Sequence, residues 1–472
     1  MAFSSLVFVC IFLPLVFILH CLIPSIRAKN ALLIAASLFF YAFGEPVYVF
    51  LMILSALLNY LCALGMKESN RRLLLTLAVL VNIGVLCVFK YTGFFLETLN
   101  RLPGVSLPVP QIALPIGISF FTFQALSYVI DVYRGVVEKQ RRFSRVLLYI
   151  AFFPQLIAGP IVKYKDVAAE IDSRSVSANE AAQGLRRFIW GLGKKVLVAN
   201  TMAVAVDRIF ALSEGAVNIV LAWIAGLAYV MQIYYDFSGY SDMAIGLGRM
   251  FGFHFKENFN YPYAAATIKE FWRRWHISLS SWFKEYVYIP LGGNRKGKFR
   301  TGLNKVTVFF LTGLWHGANW TFVVWGLFHG FFSFLEEAIP AIKRLPRFLL
   351  HVYTMLVVIV GFVIFRAEDL TQALFFVSRM FAGFTFTRLS ASLALQVLTP
   401  FFLCMFAVAV IGCGPIQPLV ARVRTLCDPC GEDTLPRRLS CLALNAASVL
   451  LLALCILRLS GGSYNPFIYF RF

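Results

Sequence analysis

Long apolar runs separated by short polar stretches recur from Leu6 to Leu459. Each run is close to the length of α-helix that crosses a bilayer. Strict alternation of apolar and polar positions, the mark of a lipid-facing β-barrel strand, is absent, so the pattern predicts α-helical spans. Window by window it gives about 11 or 12 of them. The first run, residues 4–22, has no basic leader and no small-residue cleavage site, and is expected to stay as a helix. Residues 114–135 read as one span entering from the outside. The next apolar piece, "FFPQLIAGPIVKYKD", is cut by Pro154, Gly159 and Pro160 and is too short to cross. It is expected to be re-entrant or interfacial and buried in protein. Residues 175–183 are polar. In "GLRRFIWGLGKKVLVAN", Arg186, Arg187, Lys194 and Lys195 are expected to snorkel while the helix dips into the membrane. After a span at 216–236 comes the longest polar excursion, 249–305. Within it, "TIKEFWRRWHISLSSWFKEYVYIPL" has helical amphipathic spacing. Trp272, His276, Leu279 and Phe283 share one face, and Lys269, Arg273 and Lys284 lie off it. A helix lying along the membrane surface or tilted into it is expected, then a polar loop "GGNRKGKFRTGLN" and further spans from Val306. No internal repeat is visible. The reading is an all-α polytopic membrane protein, residues 1–472 forming a single domain.

Composition agrees: 60% of the 472 residues are hydrophobic and only 14% are charged, with mean hydropathy +0.76. The net charge of +20 sits in short loops: Arg27 and Lys29, Lys67 with Arg71 and Arg72, then residues 134–145, 295–305, 343–347 and 422–438. Almost every second loop is basic, the positive-inside pattern, which puts the N-terminus outside and the basic loops in the cytoplasm beside anionic lipid headgroups. No basic soluble domain exists to carry nucleic acid, so that function class is excluded. Of ten cysteines, most lie inside apolar runs. Cys427 and Cys430 form one CxxC, without the second ligand pair a zinc site needs, and read as free thiols.

The chemistry has few places to sit. Of six histidines, His20, His254 and His351 stand at span ends or in loops and read as structural or solvated. His276, His316 and His329 stand among tryptophans and glycines between Glu270 and Gly330. A polar group in hydrocarbon costs several kcal/mol unless paired, so intramembrane ionisable residues mark function by default. The alternative is a neutral imidazole bonded to a carbonyl, holding helices together. Their spacings of 40 and 13 residues do not match the four-residue pairing of metal ligands on a helix, and no carboxylate cluster completes a site, so no metal is expected. A neutral buried imidazole can take a proton from a hydroxyl as that hydroxyl attacks an acyl carbon. Gly313 and Gly317 flank His316 and would let a substrate come close. Trp315, Trp320 and Trp325 either wall a narrow passage or simply pack. Asp236 and Asp242 are either acid/base groups or, as such residues more often do, cap a helix or pair with Arg249, Arg273 or Arg274, and Arg366 is expected to snorkel. "LGGNRKGK" lacks the pattern of a phosphate-binding P-loop.

Taken together, "LPIGISFFTFQALSYVIDVYRG", "AFFPQLIAGPI", "GLGKKVLVAN", "YDFSGYSDMAIGLGRMFGF", "FNYPY", "FWRRWHISLSSWFKEYVYIPLGGNRKG", "TGLWHGANWTFVVWGLFHG", "VIFRAED" and "SGGSYNPFIYFRF" resemble the membrane-bound O-acyltransferase (MBOAT) family. The resemblance covers the whole chain. It is stronger to the bacterial branch that serves alginate, cellulose and peptidoglycan O-acetylation and D-alanyl transfer to teichoic acids. It implies the MBOAT fold: spans plus re-entrant and interfacial helices around a thin centre with a passage. It also implies a multi-pass protein of the bacterial inner membrane. The implied activity is movement of an acyl group from a cytoplasmic thioester, acyl-CoA (acetyl-CoA above all) or a phosphopantetheine-bearing acyl carrier protein, onto a hydroxyl. The implied acceptor is an extracytoplasmic polysaccharide, or a relay acetyltransferase partner. No bound cofactor is implied. The family's catalytic histidine falls on His316 as general base. Its second position falls on His276, orienting or polarising the thioester carbonyl, and a weaker histidine on His329. Trp315, Asn319, Trp320 and His329 are the implied substrate contacts, and Arg295 and Lys296 would meet donor phosphates. Asn200 stands where relatives often carry an acid. Two alternatives remain at the level of sequence: D-alanyl transfer from a carrier protein, and a multi-pass transporter or flippase, against which the lack of internal repeats argues.

Overall fold

The computed structural model describes residues 1–426 and 435–462, and every regular element in them is helical. Cys427, Cys430 and the final "SYNPFIYFRF" lie outside the described residues. Six helices are long and apolar enough to cross a membrane: Tyr48–Gly65, Arg71–Leu99, Ala178–Phe210, Ile219–Met250, Arg347–Arg366 and Arg438–Ser460. The pair Arg388–Val397 and Pro400–Gly412, bent by 65°, makes a seventh if taken as one span. Other apolar runs of the sequence form shorter helices, such as Phe8–Leu22, Ile118–Tyr133 and Leu370–Ala382. The chain divides by contact density into two compact units, Met1–Phe188 with Met243–Glu257, and Ile189–Asp242 with Asn258–Phe472.

In the first unit the Pro- and Gly-broken segment behaves as expected. Residues 152–163 are buried throughout and contain only the four-residue helix Phe153–Leu156. Non-helical backbone is tolerated at this depth only if protein groups satisfy it. Here Phe153 N–H donates to Ser37 Oγ (3.0 Å), and Val162 C=O accepts from the Tyr149 hydroxyl (2.8 Å). His254 meets Glu170 at 2.8 Å on the surface, and His20 is buried against Phe251. Both are structural positions.

In the second unit the basic residues expected to snorkel do something else. Lys195 is buried and pairs with buried Asp236 at 2.6 Å, and Lys194 pairs with Asp242 at 2.6 Å. The aspartates do pair, with lysines of the neighbouring helix in place of the expected arginines. The reason is proximity: Ala178–Phe210 is one helical run long and apolar enough to span a membrane, and its lysines face the acids of Ile219–Met250. Arg366 likewise does not snorkel. It pairs with Asp207 at 2.6 Å and lies over the Phe210 ring.

Helices Gly297–His316 and Trp320–Ala338 form a tight antiparallel hairpin joined by residues 317–319. Asn319 caps the second helix: its side chain accepts from Thr321 N–H (3.1 Å) and donates to Glu368 C=O (2.8 Å). Gly313 and Gly326 sit where the two backbones touch. A Cβ at Gly313 would lie 2.3 Å from the Phe322 carbonyl oxygen, and one at Gly326 2.4 Å from that of Phe309. Gly317 is closed off in the same way by the Phe322 ring, 2.1 Å from where its Cβ would be. Gly313 and Gly326 therefore serve helix–helix approach, and Gly317 leaves room for the Phe322 ring, not for substrate.

Candidate active site

The site is built from two short helices and the end of a longer one, meeting at one cavity. The stretch expected to be a single amphipathic helix is broken in two: Ile268–Arg274 and Ile277–Phe283, with His276 between them in the left-handed region (φ 43°, ψ 56°). That conformation is rare for a residue with a Cβ and costs roughly 1–3 kcal/mol, so the surroundings must impose it. They do. Asn258 C=O accepts from Ile277 N–H (2.9 Å), and Asn258 Oδ1 accepts from Ser278 N–H (3.2 Å) and from the Ser278 hydroxyl (2.9 Å). The second helix thus begins on Asn258. The first begins on Thr267, whose side chain accepts from Glu270 N–H, and on buried Glu336, whose carboxylate accepts from Ile268 N–H (2.7 Å) and Lys269 N–H (3.2 Å).

The cavity has a volume of about 820 Å³. Its lining runs from exposed Lys269, Arg273 and Lys284 through Trp272, Leu279, Phe283 and Phe309 to buried His276 and His316. Its acidic lining residue, Glu270, is taken up by Arg274 at 2.7 Å. The exposed end is therefore cationic and the buried end carries two imidazoles, with ring centroids 6.5 Å apart. His316 ends its helix within an aromatic cage: Trp315, Trp325 and Phe365 stand edge-on at 5.0, 5.2 and 5.2 Å. His276 packs edge-on to Phe237 at 4.5 Å. His276 lies outside every candidate span. Burial, and after it the charge of His316, holds its imidazole well below the usual histidine range, so the ring is neutral near pH 7.

The two histidines picked out by sequence are thus brought together, although 40 residues apart. His329 is not with them at the cavity. It is fully buried on Trp320–Ala338, edge-on to Trp272 at 5.0 Å and tight against Gly361. Trp315 and Trp325 are buried in the His316 cage, and Trp320 is 36% exposed. Arg295 and Lys296 are exposed and do not line the cavity. His351 holds Ala265 C=O at 2.9 Å, a structural task. No cluster of metal-ligating side chains occurs among the described residues. Sequence reasoning missed Asn258 and Ser278 behind His276, and it read Lys269, Arg273 and Lys284 only as lying off the apolar face of the helix. Their joint position at a cavity mouth follows from the break at His276, for which the sequence carries no local signal.

Residues 47–403 match the family model described as MBOAT, membrane-bound O-acyltransferase family. The chain is 42% identical over 503 residues to "Probable alginate O-acetylase AlgI" of Azotobacter vinelandii, covering all of both chains. It is 37% identical to "Peptidoglycan O-acetyltransferase" of Helicobacter pylori, covering 79% of this chain and 78% of the relative. To "Teichoic acid D-alanyltransferase" of Bacillus subtilis it is 29% identical, over 54% of this chain and 69% of the relative. These matches set aside the transporter alternative and make the chain an enzyme of the cell membrane, an O-acyltransferase. It belongs to the membrane-bound O-acyltransferase family.

Proposed function

We propose that this chain moves an acetyl group from a cytoplasmic thioester, acetyl-CoA or an acylated phosphopantetheine carrier protein, to a hydroxyl of an extracytoplasmic polysaccharide or of a relay partner protein. The observation that carries this reading is the charge gradient of the cavity, three cations at its exposed end and two imidazoles at its buried end. Both donor types bear phosphate on a long arm that ends in the thioester. Lys269, Arg273 and Lys284 meet the phosphate on the side that the positive-inside pattern assigns to the cytoplasm, and the apolar middle admits the arm. In this reading Lys269, Arg273 and Lys284 take the phosphate contacts in place of Arg295 and Lys296, which do not line the cavity.

In the step itself His316 removes the proton of the acceptor hydroxyl. The oxygen attacks the thioester carbonyl carbon, and the tetrahedral intermediate collapses with cleavage of the C–S bond. The departing thiolate takes the proton back from the imidazolium, leaving an ester and a free thiol. General base catalysis of this kind contributes about 10²–10⁴-fold. Acetyl is favoured over D-alanyl because the relatives at 42% and 37% identity are named for O-acetyl transfer, whereas the D-alanyltransferase stands at 29% over a smaller share of both chains.

The test is mass spectrometry of secreted and wall glycans from a deletion strain, complemented with wild type or His316→Ala. Loss of acetyl esters restored only by wild type is expected. Loss of alanyl esters in place of acetyl ones would replace acetyl with D-alanyl. Unchanged glycans in the deletion strain would end the proposal.

A further inference from the structure

His276 has two ring nitrogens, and what each can do is set by the residue behind it. Nδ1 lies 3.1 Å from Asn258 Oδ1. Which atom of the amide faces the ring is fixed without reference to the imidazole. The same atom lies 3.2 Å from the Ser278 backbone nitrogen, which can only donate, and the other amide atom lies 3.0 Å from Ser241 Oγ. A reversed amide would set donor against donor at Ser278. The atom is therefore the oxygen, and an amide oxygen only accepts. The Ser278 hydroxyl spends its hydrogen on that oxygen at 2.9 Å, against a contact of 3.5 Å to Nδ1. Nδ1 must then carry the ring's hydrogen, and in a neutral imidazole Nε2 is left as a bare acceptor. Nε2 is buried and has no hydrogen-bond partner among the described residues. Asn258 is itself fully buried, and its backbone and side chain together hold the strained φ of His276 through Ile277 and Ser278.

We propose that Asn258 is a positioning residue that locks His276 in the Nδ1–H tautomer, so that Nε2 accepts a hydrogen bond from an N–H or O–H group of the bound substrate. The inference rests on the acyl-transfer reading and refines it. An accepting nitrogen repels a carbonyl oxygen, so His276 neither orients nor polarises the thioester carbonyl, and orients a substrate donor group in its place. Ser241 anchors the lock by fixing the amide's orientation.

The tautomer is read directly from the full-length protein in nanodiscs with ¹⁵N-labelled histidine, the His276 signals being assigned by their loss in His276→Gln. A protonated Nδ1 with a bare Nε2 is expected in wild type and in Asn258→Asp, which keeps an accepting oxygen. A protonated Nε2 in wild type overturns the proposal and needs no variant to be seen. Kinetics give the second arm. Asn258→Ala is expected to lower kcat about 100-fold, the cost of a misplaced catalytic group, with little change in the KM for acetyl-CoA, while Asn258→Asp restores most of the rate. Wild-type kcat in Asn258→Ala overturns the positioning role. Should Asn258→Ala fail to fold, Ser241→Ala, which loosens the same amide, takes its place with a smaller loss in the same direction. Absence of acetyl transfer by wild type would strike the functional reading alone, since the tautomer is measured without substrate.

Discussion

Replacing Gly313 with alanine places one methyl group between two helices whose backbones already touch. The new Cβ would lie 2.3 Å from the Phe322 carbonyl oxygen, 3.1 Å from its carbon and 3.4 Å from Gly326 Cα. Ordinary contact begins near 3.4 Å, so the helices must part by about 1 Å. Neither obstacle is a side chain that can swing away. Overpacking of this kind costs roughly 1–3 kcal/mol. His316 lies three residues further along the same helix and moves with it, and a displacement near 1 Å at a catalytic group costs about 100-fold in rate. The assay is acetyl transfer from acetyl-CoA by purified protein in nanodiscs, with thermal unfolding in the same preparation. Gly313→Ala is expected to lower kcat about 100-fold and to unfold at a lower temperature. Gly84→Ala is the control: a helical glycine with nothing within 4 Å of its new Cβ, expected to leave activity intact and stability equal or higher by up to about 1 kcal/mol. If Gly313→Ala kept wild-type kcat and stability, the view that this crossing sets the position of His316 would be refuted.

Other consequences can be measured separately. Changing Lys269, Arg273 and Lys284 together to glutamine should raise the KM for acetyl-CoA several-fold per charge at most, each exposed contact contributing about 0.2–1 kcal/mol. A donor without phosphates should be indifferent to the change, and equal sensitivity of both donors would remove the cations from donor binding. Lys195→Met strips Asp236 of its lysine in a buried setting and should cost about 3–5 kcal/mol, with Lys195→Met/Asp236→Leu recovering much of it, as unfolding of the single and double variants would show. Because the folded His276 pKa is depressed, the unfolded chain takes up a proton that the folded site refuses. Stability is therefore greatest above about pH 6.5, the unperturbed histidine value, and falls as pH drops below it. His276→Gln should flatten that slope between pH 7.5 and 5, and an unchanged slope would contradict the burial argument.

How far these features could be read in advance depended on how local their causes are. The helical membrane fold follows from apolar run lengths alone. Residues 152–163 were legible as a buried break because Pro154, Gly159 and Pro160 act on their own backbone. His316 was legible because an imidazole between tryptophans in an apolar run must earn its burial. The two short helices around His276 were not legible, since the amphipathic spacing runs straight through the break. The cause is Asn258, 18 residues earlier, which offers its oxygens to Ile277 and Ser278. The lysines at 194 and 195 misled in the same way: their partners stand on another helix, and from the sequence alone a basic pair at a span end reads as snorkelling.

The central claim is that His316 is the base for acyl transfer at the buried end of a donor cavity. The most direct measurement is release of free thiol from acetyl-CoA by purified wild type and His316→Gln, with and without a polyol acceptor. Acceptor-dependent release in wild type, lost by about 10²–10⁴-fold in a His316→Gln protein with unchanged thermal unfolding, is the expected result. Equal rates in the two proteins would contradict it.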